Sequence, residues 1–415
     1  MTPDFDAKLN AYAELIVKVG LNLQPGQRLY IGRETPFAAR PLVHHIARQA
    51  YAAGAELVDV MWGDEELNRL RLDEGPAGSF DIVSHWPTAA ALEFAERGDA
   101  MLRIVGSDPD LMVGVNETDL STLLAATVRA GRPASEYISR SAINWSLAAV
   151  PVPGWAARLF PDLPADEQMA RMWSTIFTMC RLDGEDPLAG WEAHIADLSG
   201  RSAFLNRQQY DALHLRAEGT DLTIGLPPRH VWMAARMRAE NGIDFTANLP
   251  TEEVFTLPHR ARVDGVVRAT KPLFYGGALI EDFSLTFEGG QAVKATAKRG
   301  EAVLNNLLET DDGARRLGEI ALVPHSSPIS QSNLLFYNTL FDENASCHIA
   351  LGRAYRFTLE DGRTMDDAAF TAAGANASAI HVDFMIGAAD MDIDGVRADG
   401  SREPVMRRGE WAFSS

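Results

Sequence analysis

The sequence predicts two domains: an N-terminal α/β domain with a sheet of the doubly wound type, and a C-terminal α+β domain with a mainly antiparallel sheet. The chain of 415 residues is too long for one ordinary hydrophobic core. Strand and helix patterns alternate in the first half, which indicates a parallel sheet covered by helices. Near residues 205–215 this pattern changes to alternating strands with glycine turns. We therefore expect a structural and oligomerising domain at 1–212 and a second domain at 213–415.

The first half begins with a helix, because apolar residues recur at helical spacing between residues 5 and 20. A strand, a helix and a strand follow at 27–32, 38–53 and 55–61, and such a βαβ unit implies parallel strands with a right-handed crossover. The same alternation predicts further helices at 88–97, 116–130, 165–180 and 187–207, and further strands at 100–105 and 144–150.

The second half is typical of strands joined by turns. Residues 213–226 alternate between apolar and polar side chains around Glu218-Gly219, which predicts a β-hairpin. More strands are expected at 262–269, 278–288, 291–297 and 320–323, with a helix at 301–308 and a turn near 314–317.

Composition and charge disfavour several classes of function. The formal net charge of −19 argues against a nucleic-acid partner and against an anionic membrane surface. The sequence contains no run of about 18 apolar residues, so no membrane span is expected. The first 20 residues resemble an amphipathic helix more than a signal peptide. Two distant cysteines fit a reducing compartment, so we expect a cytoplasmic protein. The first strand ends in GRETP, which lacks the glycines of a dinucleotide-binding loop.

Residues 338–355 (NTLFDENASCHIALGRAY) place a carboxylate, an imidazole and a phenol in one short segment, at Glu343, His348 and Tyr355. Five positions on a helix leave two side chains about 140° apart, so Glu343 and His348 converge only if the chain bends at DENAS. The alternative is a hydrogen-bonded core histidine. Cys347 fits a small buried apolar residue better than a nucleophile or a soft ligand.

Two further segments supply glutamates. Glu252 and Glu253 lie in a proline-flanked, extended segment, where neighbouring side chains point in opposite directions and only one glutamate faces a given site. The alternative is two solvated acids. Glu319 precedes the strand at 320–323, which predicts a position at the edge of a sheet; a glutamate at the exposed end of a helix is the alternative.

His381 and Asp383 give the strongest local signal. They stand two residues apart in the apolar run AIHVDFMIG, so both side chains project from one face of a strand. Polar groups on such a strand are costly unless they are paired or bind a metal. With the other segments, the sequence offers four carboxylates and two imidazoles, more than the roughly four ligands of one tetrahedral zinc. The set suits two divalent ions about 3.5–4 Å apart, and Zn, Co or Mn fits these donors.

The segments NLPTEEVFT, LGEIALVP, FYNTLFDENASCHIALGRAY and IHVDFMIG resemble, in order and spacing, the metal-site motifs of the M29 family of aminopeptidases, the thermophilic aminopeptidase T group. The resemblance extends over essentially the whole chain, including WSLAAVPVPGWA in the first half. It implies a metal-dependent exopeptidase that acts on peptides with a free N-terminus, a homodimer, and a dinuclear centre in the domain at 213–415. The implied metal ligands are Glu253, rather than Glu252, with Glu319, Glu343, His348, His381 and Asp383, and the implied active-site tyrosine is Tyr355.

Two other interpretations remain from the sequence. Some ring-cleaving dioxygenases of similar fold use one iron, but a site of two histidines and one carboxylate needs fewer acids than this chain offers. A metal-stabilised scaffold or peptide-binding protein with a decayed site is the second, and the complete set of candidate ligands with Tyr355 argues against it.

Overall fold

The computed structural model describes residues 3–275 and 278–415, which form two compact units. One unit holds the described residues up to His194 together with Arg236–Pro250, and the other holds Ile195–Ala235 and Thr251–Ser415. The chain therefore leaves the first unit, enters the second, and returns once before the second unit is completed. The sequence predicts one division at 212/213, between a structural and oligomerising domain and a domain that carries the metal site. That assignment of roles stays a prediction.

The helices and strands that were predicted fall close to their expected positions, and several others were not predicted. The helices are α1 (Pro3–Leu15), α2 (Arg40–Ala52), α3 (Glu65–Glu74), α4 (Trp86–Arg97), α5 (Glu117–Ser139), α6 (Pro153–Leu159), α7 (Ala165–Met179), α8 (Pro187–Gln208), α9 (Glu301–Leu308), α10 (Pro328–Gln331), α11 (Thr339–Asp342) and α12 (Asp367–Ala372). The strands are β1 (Arg28–Pro36), β2 (Leu57–Gly63), β3 (Ala100–Val105), β4 (Trp145–Ala149), β5 (Ala212–Ala217), β6 (Thr220–Gly225), β7 (Arg236–Arg238), β8 (Asp244–Thr246), β9 (Val254–Thr256), β10 (Val263–Arg268), β11 (Leu273–Tyr275), β12 (Ala278–Glu288), β13 (Gln291–Arg299), β14 (Leu317–Leu322), β15 (His348–Gly352), β16 (His381–Met385), β17 (Asp392–Val396), β18 (Arg402–Arg407) and β19 (Glu410–Trp411).

The first unit is built on a parallel sheet in the order β2-β1-β3-β4, which confirms the predicted α/β architecture. Strand β1 pairs in parallel with β2, and α2 makes the crossover between them. Pro41 lies in the first turn of α2, where its missing N–H has no helical partner to lose. Gly98 ends α4 in the left-handed conformation that favours glycine.

Three helices of this unit differ from the prediction. Helix α5 continues to Ser139 through Pro133, well beyond the predicted end at residue 130. Helix α3 was not predicted because it buries none of its residues and so lacks an apolar stripe. Helix α6 was missed because Pro153 follows a strand and so indicates only the end of that strand. This proline also lies in the first turn of the helix, where proline fits.

The second unit contains the predicted antiparallel sheet, in the order β11-β12-β10-β6-β5-β17-β18-β19, with β13 also paired to β12. The predicted hairpin at 213–226 is confirmed as β5 and β6, with Leu213 opposite Ile224 and Leu215 opposite Leu222. These four side chains are buried, so the alternation seen in the sequence marks the core face of this sheet.

A smaller antiparallel sheet of the second unit has the order β16-β15-β14-β9. Strand β14 is buried along its whole length and lies between β15 and β9. The expected position of Glu319 at a sheet edge is therefore wrong, because β14 begins earlier, at Leu317, and is an interior strand. The alternative of an exposed helix end is also wrong, since Glu319 is 6% exposed.

Both cysteines, Cys180 and Cys347, are buried free thiols. Within the described part of the chain, no helix has the length and apolar character needed to cross a membrane.

Candidate metal centre

One face of the small sheet gathers acids and histidines from four strands or their ends. The register places Glu319 opposite Ala350, and Ala350 opposite Asp383, so these three residues form a row across the sheet. His348 and His381 stand two positions from members of that row and share its face. Glu253 immediately precedes β9. Residues far apart in sequence therefore meet because strand pairing and the two-residue period bring them to one surface.

Small side chains leave space beside these groups. Ala350 separates Glu319 from Asp383, Gly352 lies opposite His381, and Ala321 lies opposite His348. A larger side chain at Ala321 or Ala350 would occupy space beside the acids and imidazoles, and at Gly352 it would collide with Ile380. The pattern of small residues in LGEIALVP and CHIALG is thus part of how the site is formed.

The first compact group of donors contains Glu253, Glu319 and His348, all buried. Nε2 of His348 lies 3.2 Å from Oε2 of Glu253 and 3.4 Å from Oε1 of Glu319. These three side chains each offer one ligand atom within a space small enough for a single cation.

The second group contains Glu319, His381 and Asp383. Nε2 of His381 lies 3.7 Å from Oε2 of Glu319 and 3.5 Å from Oδ1 of Asp383. Glu319 belongs to both groups, and its two oxygens face different histidines. The arrangement therefore contains two candidate donor groups that share one carboxylate.

Backbone carbonyls orient both imidazoles. Nδ1 of His348 lies 3.2 Å from the Ser346 carbonyl, and Nδ1 of His381 lies 2.6 Å from the Arg353 carbonyl. A carbonyl oxygen only accepts, so each Nδ1 carries the proton and donates it. The neutral form of each ring then presents the lone pair of Nε2 to the acids, which is the orientation that metal-binding histidines need.

The acids and histidines change one another's pKa. Burial raises the pKa of Glu319. Burial alone would lower the pKa of His381, but the adjacent Asp383 outweighs this and raises it to about 9. Burial alone would raise the pKa of Asp383, but His381 outweighs this and lowers it. For His348, the bonds to Glu253 and Glu319 likewise overcome burial, so its pKa is raised. The buried acids thus favour a positive charge beside them.

Glu343 stands at the margin of the two groups and belongs to neither of them. Helix α11 ends at Asp342, a 3-10 turn spans Glu343–Ala345, and β15 begins at His348, so the chain bends at DENAS as predicted. Burial raises the pKa of Glu343 well above its usual range, and the negative charges of Glu253 and Asp383 raise it further. The charges of both donor groups therefore act on this carboxyl group, and it favours its protonated form.

Tyr355 also lies against the donor groups. Its ring contacts His381 with centroids 4.7 Å apart and stacks on Phe357 at 5.2 Å. Burial raises the pKa of the phenol well above its usual range, and the charges of Glu319 and Asp383 add to this. The hydroxyl consequently remains a proton donor at neutral pH.

The remaining candidates have clear positions. Glu252 and Glu253 are both buried, at 2% and 8% exposure, so the alternative of two solvated acids is wrong. Of the pair, Glu253 contacts His348.

Cys347 lies in the core, where its Sγ is 3.4 Å from the Val323 carbonyl and burial raises its pKa to about 11. That position agrees with a small buried apolar residue.

Asn344 holds two parts of the site together and was missed in the sequence, where DENAS indicated only a bend. This buried residue accepts the Glu252 backbone N–H through Oδ1 at 2.7 Å and donates from Nδ2 to the Leu340 carbonyl at 3.0 Å. It thereby ties the segment that carries Glu253 to the turn that carries Glu343. An asparagine beside a candidate ligand was the only available signal.

We expect Asn344→Ala to lower the free energy of unfolding by about 1–3 kcal/mol, because it leaves a buried N–H and a buried carbonyl unpaired. Urea unfolding of the metal-free protein measures this loss, and isothermal titration with Zn²⁺ should show weaker binding. Asn306→Ala, on the exposed side of α9, is the matched control. Unchanged unfolding and unchanged zinc affinity for Asn344→Ala would contradict this role.

The donor set fits divalent metal ions. Among the described residues, no hydrogen-bond donor satisfies the buried Oδ1 of Asp383, although Nε2 of His381 lies 3.5 Å away. An unsatisfied carboxylate oxygen of this kind is costly unless a cation binds it. Carboxylate oxygens with imidazole nitrogens suit ions such as zinc, cobalt or manganese.

Comparison with known proteins agrees with this chemistry. The model of the family described as thermophilic metalloprotease (M29) matches residues 5–411. Aminopeptidase AmpS of Bacillus subtilis is 45% identical over 409 residues and covers 99% of both chains. Aminopeptidase T of Thermus thermophilus is 45% identical over 407 residues, covering 98% of this chain and 99% of its own. The solved structure of wild-type AmpT from Thermus thermophilus matches with a TM-score of 0.93 at 44% identity, covering 99% of this chain and all of that chain.

Proposed function

The chain belongs to the M29 family of metalloproteases, and from that premise we propose that it is a metal-dependent aminopeptidase. It hydrolyses the first peptide bond of peptides that have a free N-terminus. The observation that carries this proposal is the pair of donor groups that share Glu319 on one sheet face. The names of the relatives, which are aminopeptidases, give the reaction class.

We assign the metal-binding role to six side chains: Glu253, Glu319, Glu343, His348, His381 and Asp383. Support comes from the two compact groups, from the orientation of both imidazoles, and from burial of Glu343 near Glu253 and Asp383, whose charges act on it. The proposed content is two divalent ions per chain, of zinc, cobalt or manganese. When bound, such ions lower the pKa of water and polarise a carbonyl group.

Tyr355 is the proposed catalytic residue of the chain. Its phenol keeps its proton because burial and neighbouring acids raise its pKa. The O–H group can therefore donate a hydrogen bond to the oxygen of the scissile carbonyl as negative charge develops there. Contact with the His381 ring and stacking on Phe357 fix its orientation before the substrate arrives.

Glu343 is proposed to move the proton that peptide hydrolysis requires. Its buried carboxyl group, next to both donor groups, would accept a proton from the attacking water and release it to the leaving amine. The free α-amino group of the substrate needs a metal ion or an acid of the site to hold it. Such a contact with the N-terminus would make the proposed enzyme an exopeptidase.

We also retain the homodimer and the cytoplasmic location as predictions. Large apolar side chains such as Phe37, Leu67, Ile82 and Trp86 are exposed in the first unit. Phe37 and Trp62 stack at 6.0 Å with both rings exposed, which offers apolar surface for a contact between subunits and supports the oligomerising role expected of residues 1–212.

Metal removal and replacement test the proposal. Chelation is expected to abolish hydrolysis of aminoacyl-nitroanilides, because the proposed metal ions lower the pKa of the attacking water. Activity should return on separate addition of zinc, cobalt or manganese, and metal analysis should give two ions per chain. A single iron per chain would instead favour the one-iron dioxygenase interpretation. Absence of hydrolysis with zinc, cobalt, manganese and iron would exclude an aminopeptidase.

A further inference from the structure

Arg353 is a cationic residue that directly follows strand β15, beside the donor groups. Its backbone carbonyl accepts the Nδ1–H of His381 at 2.6 Å, and its backbone N–H donates to the Ile380 carbonyl at 2.7 Å. These two bonds fix the main chain of Arg353 against the start of β16. The residue is nevertheless exposed. Arg353 therefore joins the backbone that orients a proposed metal ligand to a positive charge that is open to solvent.

The backbone turns at Gly352, and this turn decides the direction of the side chains that follow. Every second residue of β15 from His348 onward shares the face of the donor groups, and simple alternation would place Tyr355 on the other face. Gly352 has a φ of +103°, so the alternation stops there. Tyr355 is extended, and its ring contacts His381 at 4.7 Å. Arg353 stands two residues before Tyr355, the spacing that directs both side chains of an extended segment to one side.

The positive charge of Arg353 acts on the Tyr355 phenol. Burial raises the pKa of this phenol, the charges of Glu319 and Asp383 raise it further, and the charge of Arg353 acts in the opposite direction. Interactions between charges weaken with distance, so the guanidinium group lies within electrostatic range of the hydroxyl. This agrees with the two-residue spacing and places a cation near the group that is proposed to contact the scissile carbonyl.

The guanidinium group of Arg353 has no partner within residues 3–275 and 278–415, where it forms neither an ion pair nor a hydrogen bond. Asp311, an acid bonded to the neighbouring segment, instead accepts from the Ser378 hydroxyl at 2.8 Å and from the Ala379 N–H at 2.6 Å. A guanidinium group offers five N–H donors in a planar arrangement that matches a carboxylate. The donors of Arg353 are thus available to an anionic group that arrives with the substrate.

We propose that Arg353 binds the C-terminal carboxylate of dipeptide substrates and so gives the enzyme a preference for dipeptides. The proposal rests on the aminopeptidase function given above. In a dipeptide the carboxylate lies one residue, about 3.3 Å of extended chain, beyond the carbonyl that Tyr355 is proposed to contact. The Cα atoms of Arg353 and Tyr355 are about 7 Å apart in an extended segment, a distance that a long arginine side chain covers. A longer peptide has an uncharged amide at this position.

Leucyl-glycine and leucyl-glycinamide test this preference, because the two substrates differ only in the terminal carboxylate. The metal-loaded wild type is expected to show at least about a tenfold higher kcat/KM for leucyl-glycine, as for a hydrogen bond between charged groups. Arg353→Gln removes the charge but keeps the backbone carbonyl that orients His381, so it should lose this preference, mainly through KM for leucyl-glycine. Arg353→Lys keeps the charge without the planar donors and should retain part of it. Arg207→Gln, at an exposed position of α8, is the matched control and should leave the preference unchanged.

The outcomes separate this inference from the proposed function. Hydrolysis of both substrates at equal kcat/KM, or a preference that Arg353→Gln retains, would overturn the role of Arg353 and leave the aminopeptidase function standing. An equal loss for both substrates in Arg353→Gln would also overturn it, because the residue would then act only by ordering His381. If the wild type hydrolyses neither substrate, the function fails, and calorimetric titration of the zinc-loaded protein with each compound decides the inference. Tighter binding of leucyl-glycine that is lost in Arg353→Gln supports it, and equal binding of the two compounds overturns it.

Discussion

Glu319→Gln is expected to bind at most one metal ion per chain and to lose at least about 10³-fold in kcat/KM, more than the 10²–10³ that one oxyanion donor contributes. The reason is that the two carboxylate oxygens face different histidines, at 3.4 Å from His348 and 3.7 Å from His381. An amide offers one oxygen acceptor and no charge, so it cannot serve both positions. Metal analysis after dialysis and steady-state kinetics measure the two effects.

Variants that alter only one donor group show whether the effect of Glu319→Gln comes from its position in both groups or from the loss of any one carboxylate. Glu253→Gln and Asp383→Asn each alter one group, so each should weaken one ion and retain the other. Glu288→Gln, at an exposed position of β12, removes a glutamate away from the groups and should change neither metal content nor activity. Two tightly bound ions in Glu319→Gln would show that this carboxylate is not shared.

Thermal unfolding distinguishes loss of metal from loss of fold. A ligand that binds only the folded state stabilises it by mass action, so added zinc should raise the melting temperature of the wild type more than that of Glu319→Gln. The metal-free proteins should melt at similar temperatures, because the substitution removes a buried carboxylate whose pKa burial has raised. A large drop for the metal-free variant would assign Glu319 a structural role instead.

Much of this fold follows from periodicity in the sequence. The βαβ unit and the hairpin at 213–226 were predictable because their apolar residues repeat with the periods of helix and strand. Helix α3 was not, because it buries no side chain and shows no stripe. Helix α5 continues through Pro133, beyond its predicted end at residue 130. Sequence periodicity therefore missed a helix that buries no side chain and so shows no apolar stripe.

The candidate site likewise contains features that the sequence predicted and features that it did not. The pair His381 and Asp383 could be placed on one strand face from their spacing alone. Strand pairing, which brings Ala350 between Glu319 and Asp383, depends on register between distant segments and has no local signal. The position of Glu319 on an interior strand and the hydrogen bonds of Asn344 were missed for that reason.

Tyr355→Phe is expected to lower kcat by about 10²–10³, as for the loss of one oxyanion donor, while metal content and melting temperature stay unchanged. The ring contact with His381 and the stacking on Phe357 do not use the hydroxyl, so phenylalanine preserves the packing. Only the O–H group, which the raised pKa keeps protonated, is removed. Because that hydrogen bond strengthens as charge develops, the loss should appear in kcat more than in KM.

Tyr137→Phe, in α5 of the other unit, removes a phenol hydroxyl outside the site and is the matched control. A fall in kcat shared by both variants would point to a general effect on folding rather than on the transition state. Unchanged turnover in Tyr355→Phe would remove this residue from the mechanism. Loss of metal from that variant would show that the phenol orders His381, and its effect on rate would then act through the imidazole rather than through a hydrogen bond to substrate.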